Sequence, residues 1–194
     1  MSKGEATKQA VLEQAVEVAS RLGLSGLTIG SLASQVELSK SGLFAHFKSK
    51  EQLQLQVLAH ARESFTDEVV RPALASPRGE PRLRVLFERW LDTGRESAPG
   101  CLFVSASSEF DDQPGAVRDQ LVRDHKDLME SIAQMFRAGI SEGQLSEQAD
   151  PDQFAHDLYG VMLGYFHALR LIRDPLAQER TRRAFETLLS NAKS

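Results

Sequence analysis

Apolar residues recur at intervals of three and four along nearly the whole chain, and that spacing restricts it to helices. Val11, Leu12, Ala15, Val16, Ala19 and Leu22 share one face of a helix ending near Gly23. No stretch carries the period-two alternation of a strand, so the expected fold class is all-α. Thr28 is placed to cap a short second helix presenting Ile29, Leu32 and Ala33, and Ser39 to cap a third that runs to about residue 46. Ser49-Lys-Glu-Gln52 has capping-box spacing and opens a long helix through Leu53, Val57, Leu58, Ala61 and Phe65.

Proline divides the chain. None occurs in the first 71 residues, and all seven lie from Pro72 onward. The stretch Arg71 to Pro81 is therefore the expected join between a domain at 1–50, with a linking helix over about 50–70, and a second domain at 72–194. Beyond it the pattern predicts a helix from Leu83 to Leu91, a break at Pro99-Gly100, a short apolar segment over 101–110 and a long helix from Val117 to Ile140. Asp150-Pro151 and Asp174-Pro175 each read as an N-cap followed by proline in the first turn of a helix.

At 194 residues, 41% apolar and 26% charged, the chain has the composition of a globular protein. No window approaches the 18 uninterrupted apolar residues of a membrane span, and the first residues lack the apolar core of a secretory signal. One cysteine, Cys101, permits no intrachain disulfide and suits a reducing compartment, so a cytoplasmic protein is expected. Charge is polarised: residues 1–50 hold six Lys/Arg and four Asp/Glu, a net of +2, which leaves 17 and 23, a net of −6, for the rest.

The positive charge concentrates in SKSGLFAHFKSKEQL, residues 39–53, which has no acid before Glu51. Closely spaced short helices before it suggest a helix-turn-helix, whose later helix lies in the major groove of DNA. Ser39 and Ser41 are short donors at a helix start, where free amides favour phosphate. Lys40 adds charge, Gly42 lets the backbone approach the duplex, and Leu43 is suited to press on a thymine methyl. His46, Lys48 and Lys50 extend the positive surface.

The stretch TIGSLASQVELSKSGLFAHFKSKEQL, residues 28–53, resembles the DNA-binding region of the TetR/AcrR-type transcriptional repressors. Thr28, Ile29, Leu32, Ala33, Ser39, Lys40, Leu43, Phe44, His46, Phe47, Lys50, Glu51 and Leu53 carry the match. The resemblance covers about residues 5–60. It implies that Thr28 touches phosphate, that Ser39 to Leu43 enter the major groove, and that His46 and Lys50 grip the backbone. Phe44 stands where the family usually has a phosphate-contacting tyrosine, and Glu37 where glycine is common.

The resemblance further implies a C-terminal helical bundle that binds a small-molecule effector and forms a homodimer on a palindromic double-stranded operator. LYGVMLGYFHAL, residues 158–169, has no charged residue, and Gly160, Gly164 and Ala168 form a smooth stripe along it. With Ala184 and Leu188 of the last helix they are the candidate dimer contacts. Candidate effector residues are Phe87, Trp90, Cys101, Phe103, His125, Met129, Met162, Tyr165 and Phe166, each also readable as plain core.

Glu109, Asp111 and Asp112 precede the long helix and are read as complementing its dipole, not as metal ligands with His125. No cofactor or metal is expected. There is no GxSxG, no HExxH and no phosphate-cradling glycine loop, so no enzyme is expected. The expected function is a DNA-binding repressor released by its effector. The competing reading is a helical small-molecule carrier or adaptor, which leaves the acid-free basic stretch unexplained.

Overall fold

The computed structural model describes residues 3–36, 39–94 and 100–193, with residues 3–7 and 40 described for their backbone only. The elements are α1 (Lys3–Leu22), α2 (Ile29–Val36), α3 (Lys40–Phe47), α4 (Lys50–Phe65), α5 (Arg71–Ala75), α6 (Glu80–Asp92), α7 (Leu102–Glu109), α8 (Ala116–Ser141), α9 (Pro151–His167) and α10 (Ala177–Asn191). Among the described residues there is no strand, and no helix is long and apolar enough to cross a membrane.

Two compact units form, and they are not the two sequence halves. Residues 1–64 join with 99–124, while 65–98 join with 125–194. The 99–124 segment, expected with the C-terminal part, packs into the first unit because its apolar face completes that core. Leu102, Ala106, Phe110, Val117 and Leu121 lie in one cluster with Val11, Ala15, Leu27, Leu32, Phe47 and Leu58.

Local signals explain most helix ends in the first unit. α1 stops at Gly23, whose φ of +89° suits a residue without a Cβ and whose N–H reaches Ala19 O at 2.9 Å. Thr28 Oγ1 accepts from Ser31 N at 3.0 Å while Ser31 Oγ accepts from Thr28 N at 2.9 Å, a reciprocal cap on α2. Ser39 caps α3 through Gly42 N, and Ser49 caps α4 through Gln52 N, each at 3.1 Å.

In the second unit, the proline-rich stretch is more helical than expected. Thr66–Val70 form a π-turn in which Arg71 N reaches back to Thr66 O, and α5 follows at once with Pro72 in its first turn. The wider turn shifts the backbone where the proline ring would otherwise meet the preceding turn and where one N–H is missing. Asp150 caps α9 as expected, accepting from Asp152 N at 2.9 Å and Gln153 N at 3.1 Å. Asp174 does not cap α10. It accepts from Leu176 N at 3.0 Å and pairs with Arg180, and the helix begins later, at Ala177. The break expected at Pro99-Gly100 falls mostly outside the described residues.

The second core is stitched by aromatic pairs. Phe87 stacks on Phe185 at 4.0 Å and Phe136 meets Phe154 at 4.6 Å. Arg84 bridges Glu80 and Glu186, and Lys193 adds a further bond to Glu80. Burial pushes the Glu80 carboxyl up, but the hydrogen bonds from Lys193 and Arg84 outweigh it and leave it below the usual range; the Arg84 bond lowers Glu186 as well. Carboxyls lowered by folding stabilise above their unfolded pKa and lose that contribution as the pH falls through the folded value.

In α3, Leu43 and Phe47 are fully buried whereas Phe44 is 58% exposed. Leu43→Ala should cost about 2–5 kcal/mol of stability, and Phe44→Ala less than about 0.5 kcal/mol. Urea unfolding of both variants checks this.

Candidate nucleic-acid interface

The candidate surface is built from α3 and its two flanks. Burial of Leu43 and Phe47, one helical turn apart, turns the remaining positions outward. Ser39, Ser41, Gly42, Phe44, His46, Lys48 and Lys50 are all exposed. Thr28 is partly buried at the start of α2, with its hydroxyl engaged by Ser31. The side chain of Lys40, like Glu37, lies outside the described residues.

Leu43 is a correction. Its side chain is fully buried in the core of the first unit, so it has no surface with which to meet a thymine methyl. Its role is to hold α3 down. Phe44, not Leu43, is the large apolar side chain exposed on α3.

At the N-terminus of α3, Ser39 Oγ takes the Gly42 N–H and lies 3.2 Å from Ser41 Oγ. A Cβ at Gly42 would sit 3.2 Å from that same hydroxyl, so glycine keeps the serine cap uncrowded. At the other end Lys48 holds φ +60°, ψ −43°, with its N–H on Phe44 O at 2.8 Å. That is a conformation that favours glycine, occupied here by a lysine. Lys50 Nζ donates to Ser25 O at 2.6 Å, so it also ties the start of α4 to the turn after α1.

Sequence reasoning missed that turn as a structural hub. Glu109 does not attend to α8: its carboxylate accepts from Leu24 N at 3.1 Å and Ser25 N at 2.7 Å, and Gln54 Nε2 donates to Leu24 O at 2.7 Å. An acid eighty residues away gives no local signal of such a contact. Among the described residues, no three His, Cys, Asp or Glu side chains gather as a metal site.

The candidate effector residues do not form one group. Phe103 packs against the core of the first unit, and Cys101 sits partly buried at the start of α7 in that unit. In the second unit Phe87, Met162, Tyr165 and Phe166 are plain core, with Tyr165 Oη donating to Leu91 O at 3.1 Å. His125 and Met129 line an open cleft of about 500 Å³ together with Lys126, Glu130, Asp152 and Ala155. His125 meets Tyr159 edge-on at 5.5 Å, Tyr159 meets Trp90 at 6.0 Å, and Phe65 meets Trp90 edge-on at 5.8 Å. Trp90 is 1% exposed, and among the described residues its Nε1–H has no hydrogen-bond partner. Neither Tyr159 nor Phe65 is among the effector candidates from the sequence, though Tyr159 is one of only two tyrosines and lies in the charge-free segment.

On α9, Gly160 and Gly164 are exposed, and a Cβ added at either would meet nothing within 4 Å. Among the described residues, nothing therefore packs closely over these two glycines. Leu163, Leu171, Ile172 and Leu176 are exposed apolar side chains on and after the same helix, while Ala168, Ala184 and Leu188 are partly buried.

Known proteins share this organisation. Residues 11–57 match the model of the bacterial regulatory proteins of the tetR family, and residues 79–185 match that of the tetracyclin repressor-like C-terminal domain. The chain is 26% identical over 193 residues to the HTH-type transcriptional repressor DhaR of Mycobacterium sp. (strain GP1), covering 96% of this chain and 94% of the relative. A TetR transcriptional regulator from Chloroflexus aurantiacus J-10-FL superposes with a TM-score of 0.85 at 23% identity, over 98% of this chain and 96% of that one. AibR, solved in complex with isovaleryl coenzyme A and operator DNA, superposes with a TM-score of 0.73 at 20% identity, over 92% and 94% of the two chains. An acid-free reading helix on a helix-turn-helix core, followed by a matching C-terminal helical domain, makes this chain a member of the TetR family of DNA-binding transcriptional regulators.

Proposed function

We propose that the protein is a homodimeric repressor that reads a palindromic operator with α3 and leaves it when a small molecule binds the second unit. The observation that carries this reading is the division of α3. Leu43 and Phe47 anchor it, and every described side chain between Ser39 and Lys50 other than these two is exposed, without one acid. The carrier or adaptor alternative gives no reason for that surface.

In this reading Ser39, Ser41 and Gly42 enter the major groove at the N-terminus of α3, with Phe44 as the apolar contact to a thymine methyl or sugar. Thr28, Lys40, His46, Lys48 and Lys50 hold phosphate, Lys50 while keeping its bond to Ser25 O. Residues 1–50 thus read DNA, and 72–194 serve effector binding and dimerisation, although 99–124 pack with the reading head.

The exposed face of α9, with Gly160, Leu163, Gly164 and the following Leu171 and Ile172, supports dimerisation. Glycines with nothing above them let a second backbone approach closely, and exposed leucines supply the apolar area. For the effector, the Phe65–Trp90–Tyr159–His125 cluster is the favoured seat. A buried N–H with no partner among the described residues can take an acceptor, and His125 belongs both to the cleft and to the ring cluster. A structural neighbour that holds both an acyl-coenzyme A and operator DNA supports a ligand-responsive reading.

Gel shifts against DNA flanking the protein's own gene should give a nanomolar band that survives competitor DNA; no such band over the whole flank counts against DNA reading. Lys48→Gly should stabilise the fold by about 1 kcal/mol by relieving the positive φ and flatten the salt dependence of operator binding by about one unit. Unchanged stability and slope would remove Lys48 from the interface. Leu171→Glu with Ile172→Glu should convert the dimer to monomer in light scattering and weaken operator binding.

A further inference from the structure

We infer that Glu109 is a positioning residue for DNA reading: its carboxylate fixes the α1–α2 turn, and through it the helices that carry the operator contacts. The inference rests on the DNA-binding reading and adds a residue remote in sequence from the reading helix.

The turn at residues 23–27 has its polar backbone groups pulled in two directions. The amides of Leu24 and Ser25 face α7, where Glu109 Oε1 accepts from Leu24 N at 3.1 Å and Oε2 from Ser25 N at 2.7 Å. Their carbonyls face α4, where Leu24 O accepts from Gln54 Nε2 at 2.7 Å and Ser25 O from Lys50 Nζ at 2.6 Å. Both donors and both acceptors of two consecutive residues are thereby committed to side chains from other helices. α2 starts at Ile29, directly after the turn, and α3 packs on α2.

The fit around the carboxylate is tight. A Cβ at Gly23 would lie 2.9 Å from both Glu109 oxygens, so glycine at this position serves the close approach as well as the φ of +89°. A charged acceptor holding two amides is stronger than a neutral one. The reach of this contact matters for regulation. Residues 99–124 follow and precede stretches of the second unit, so α7 belongs to a segment whose two ends both continue into that unit. A displacement of α7 would reach the turn through the Glu109 carboxylate.

A staple that merely stabilised the first unit would behave differently from a positioning residue. Loss of fold reduces binding to every DNA in the same proportion. Loss of position spoils base contacts while leaving the phosphate attraction, which is independent of sequence. The ratio of operator to random-duplex affinity separates the two.

The experiment titrates full-length wild type, Glu109→Gln, Glu109→Ala and the control Asp112→Asn with operator and random duplexes of equal length. Amide exchange at Leu24 and Ser25 is followed by NMR. Glu109→Gln keeps the size but presents an NH2 to one amide. It should lose about tenfold in operator affinity, hold random-duplex affinity and salt slope within about twofold, and speed exchange at Leu24 and Ser25 at least about tenfold. Asp112→Asn should match wild type. Operator affinity within twofold of wild type in both Glu109 variants overturns the proposal, as does an equal loss on both duplexes. A Glu109→Gln protein that does not fold assigns the residue to the fold alone and overturns it too. Wild type that prefers no duplex is a separate result, against DNA reading itself.

Discussion

Everything in the reading head depends on two side chains. An eight-residue helix is far too short to be stable by itself in water, and α3 further carries Gly42, which costs about 1 kcal/mol against alanine in a helix. Full burial of Leu43 and Phe47 offsets this, at about 1.5–3 kcal/mol each. Because the two are four residues apart they occupy one edge of the helix, and every other described side chain of it is released from packing duty. The polar, basic, glycine-containing character of the outer face is possible only because the inner face is so fully anchored.

The same economy governs the unit around it. A head of about sixty residues buries a modest share of its surface and is marginal alone. Here α7 and the start of α8 add Leu102, Ala106, Phe110, Val117 and Leu121 to its core. Hydrogen bonds then fix what the small core leaves loose. Thr28, Ser39 and Ser49 each cap a helix with a hydroxyl, and Gln54, Lys50 and Glu109 hold the turn between α1 and α2. Polar staples at helix ends thus add to the order that the apolar core provides.

What could be read in advance follows from range. Capping at Thr28, Ser39, Ser49 and Asp150 was legible because each hydroxyl or carboxylate acts on an amide two or three residues away. The outward face of α3 was only half legible: its charge is local, but which of Leu43 and Phe44 turns inward depends on how the helix is rotated against the core it packs on, α2 included. Asp174 misled because its carboxylate closes a turn on Leu176 and pairs with Arg180, so the helix starts beyond it. Glu109 and the 99–124 segment were invisible as partners of the head, since their contacts span the chain. The effector residues were legible as apolar and aromatic but not as neighbours, and so Phe103 went to one unit and Trp90 to the other.

The proposed switch asks for little energy. Reducing operator occupancy tenfold needs about 1.4 kcal/mol of coupling, provided the ligand prefers one conformation by that amount. An unpartnered buried donor costs about 1–3 kcal/mol, and Trp90 Nε1 is such a donor in the middle of an aromatic cluster. A ligand offering an acceptor there, while displacing Tyr159 or His125 from the rings it needs, would gain on the order of one hydrogen bond in the conformation that admits it. In the proposed reading, one such bond is of the size the coupling needs. In that reading, packing that satisfied Trp90 from within the chain would remove the gain on which the proposed ligand draws.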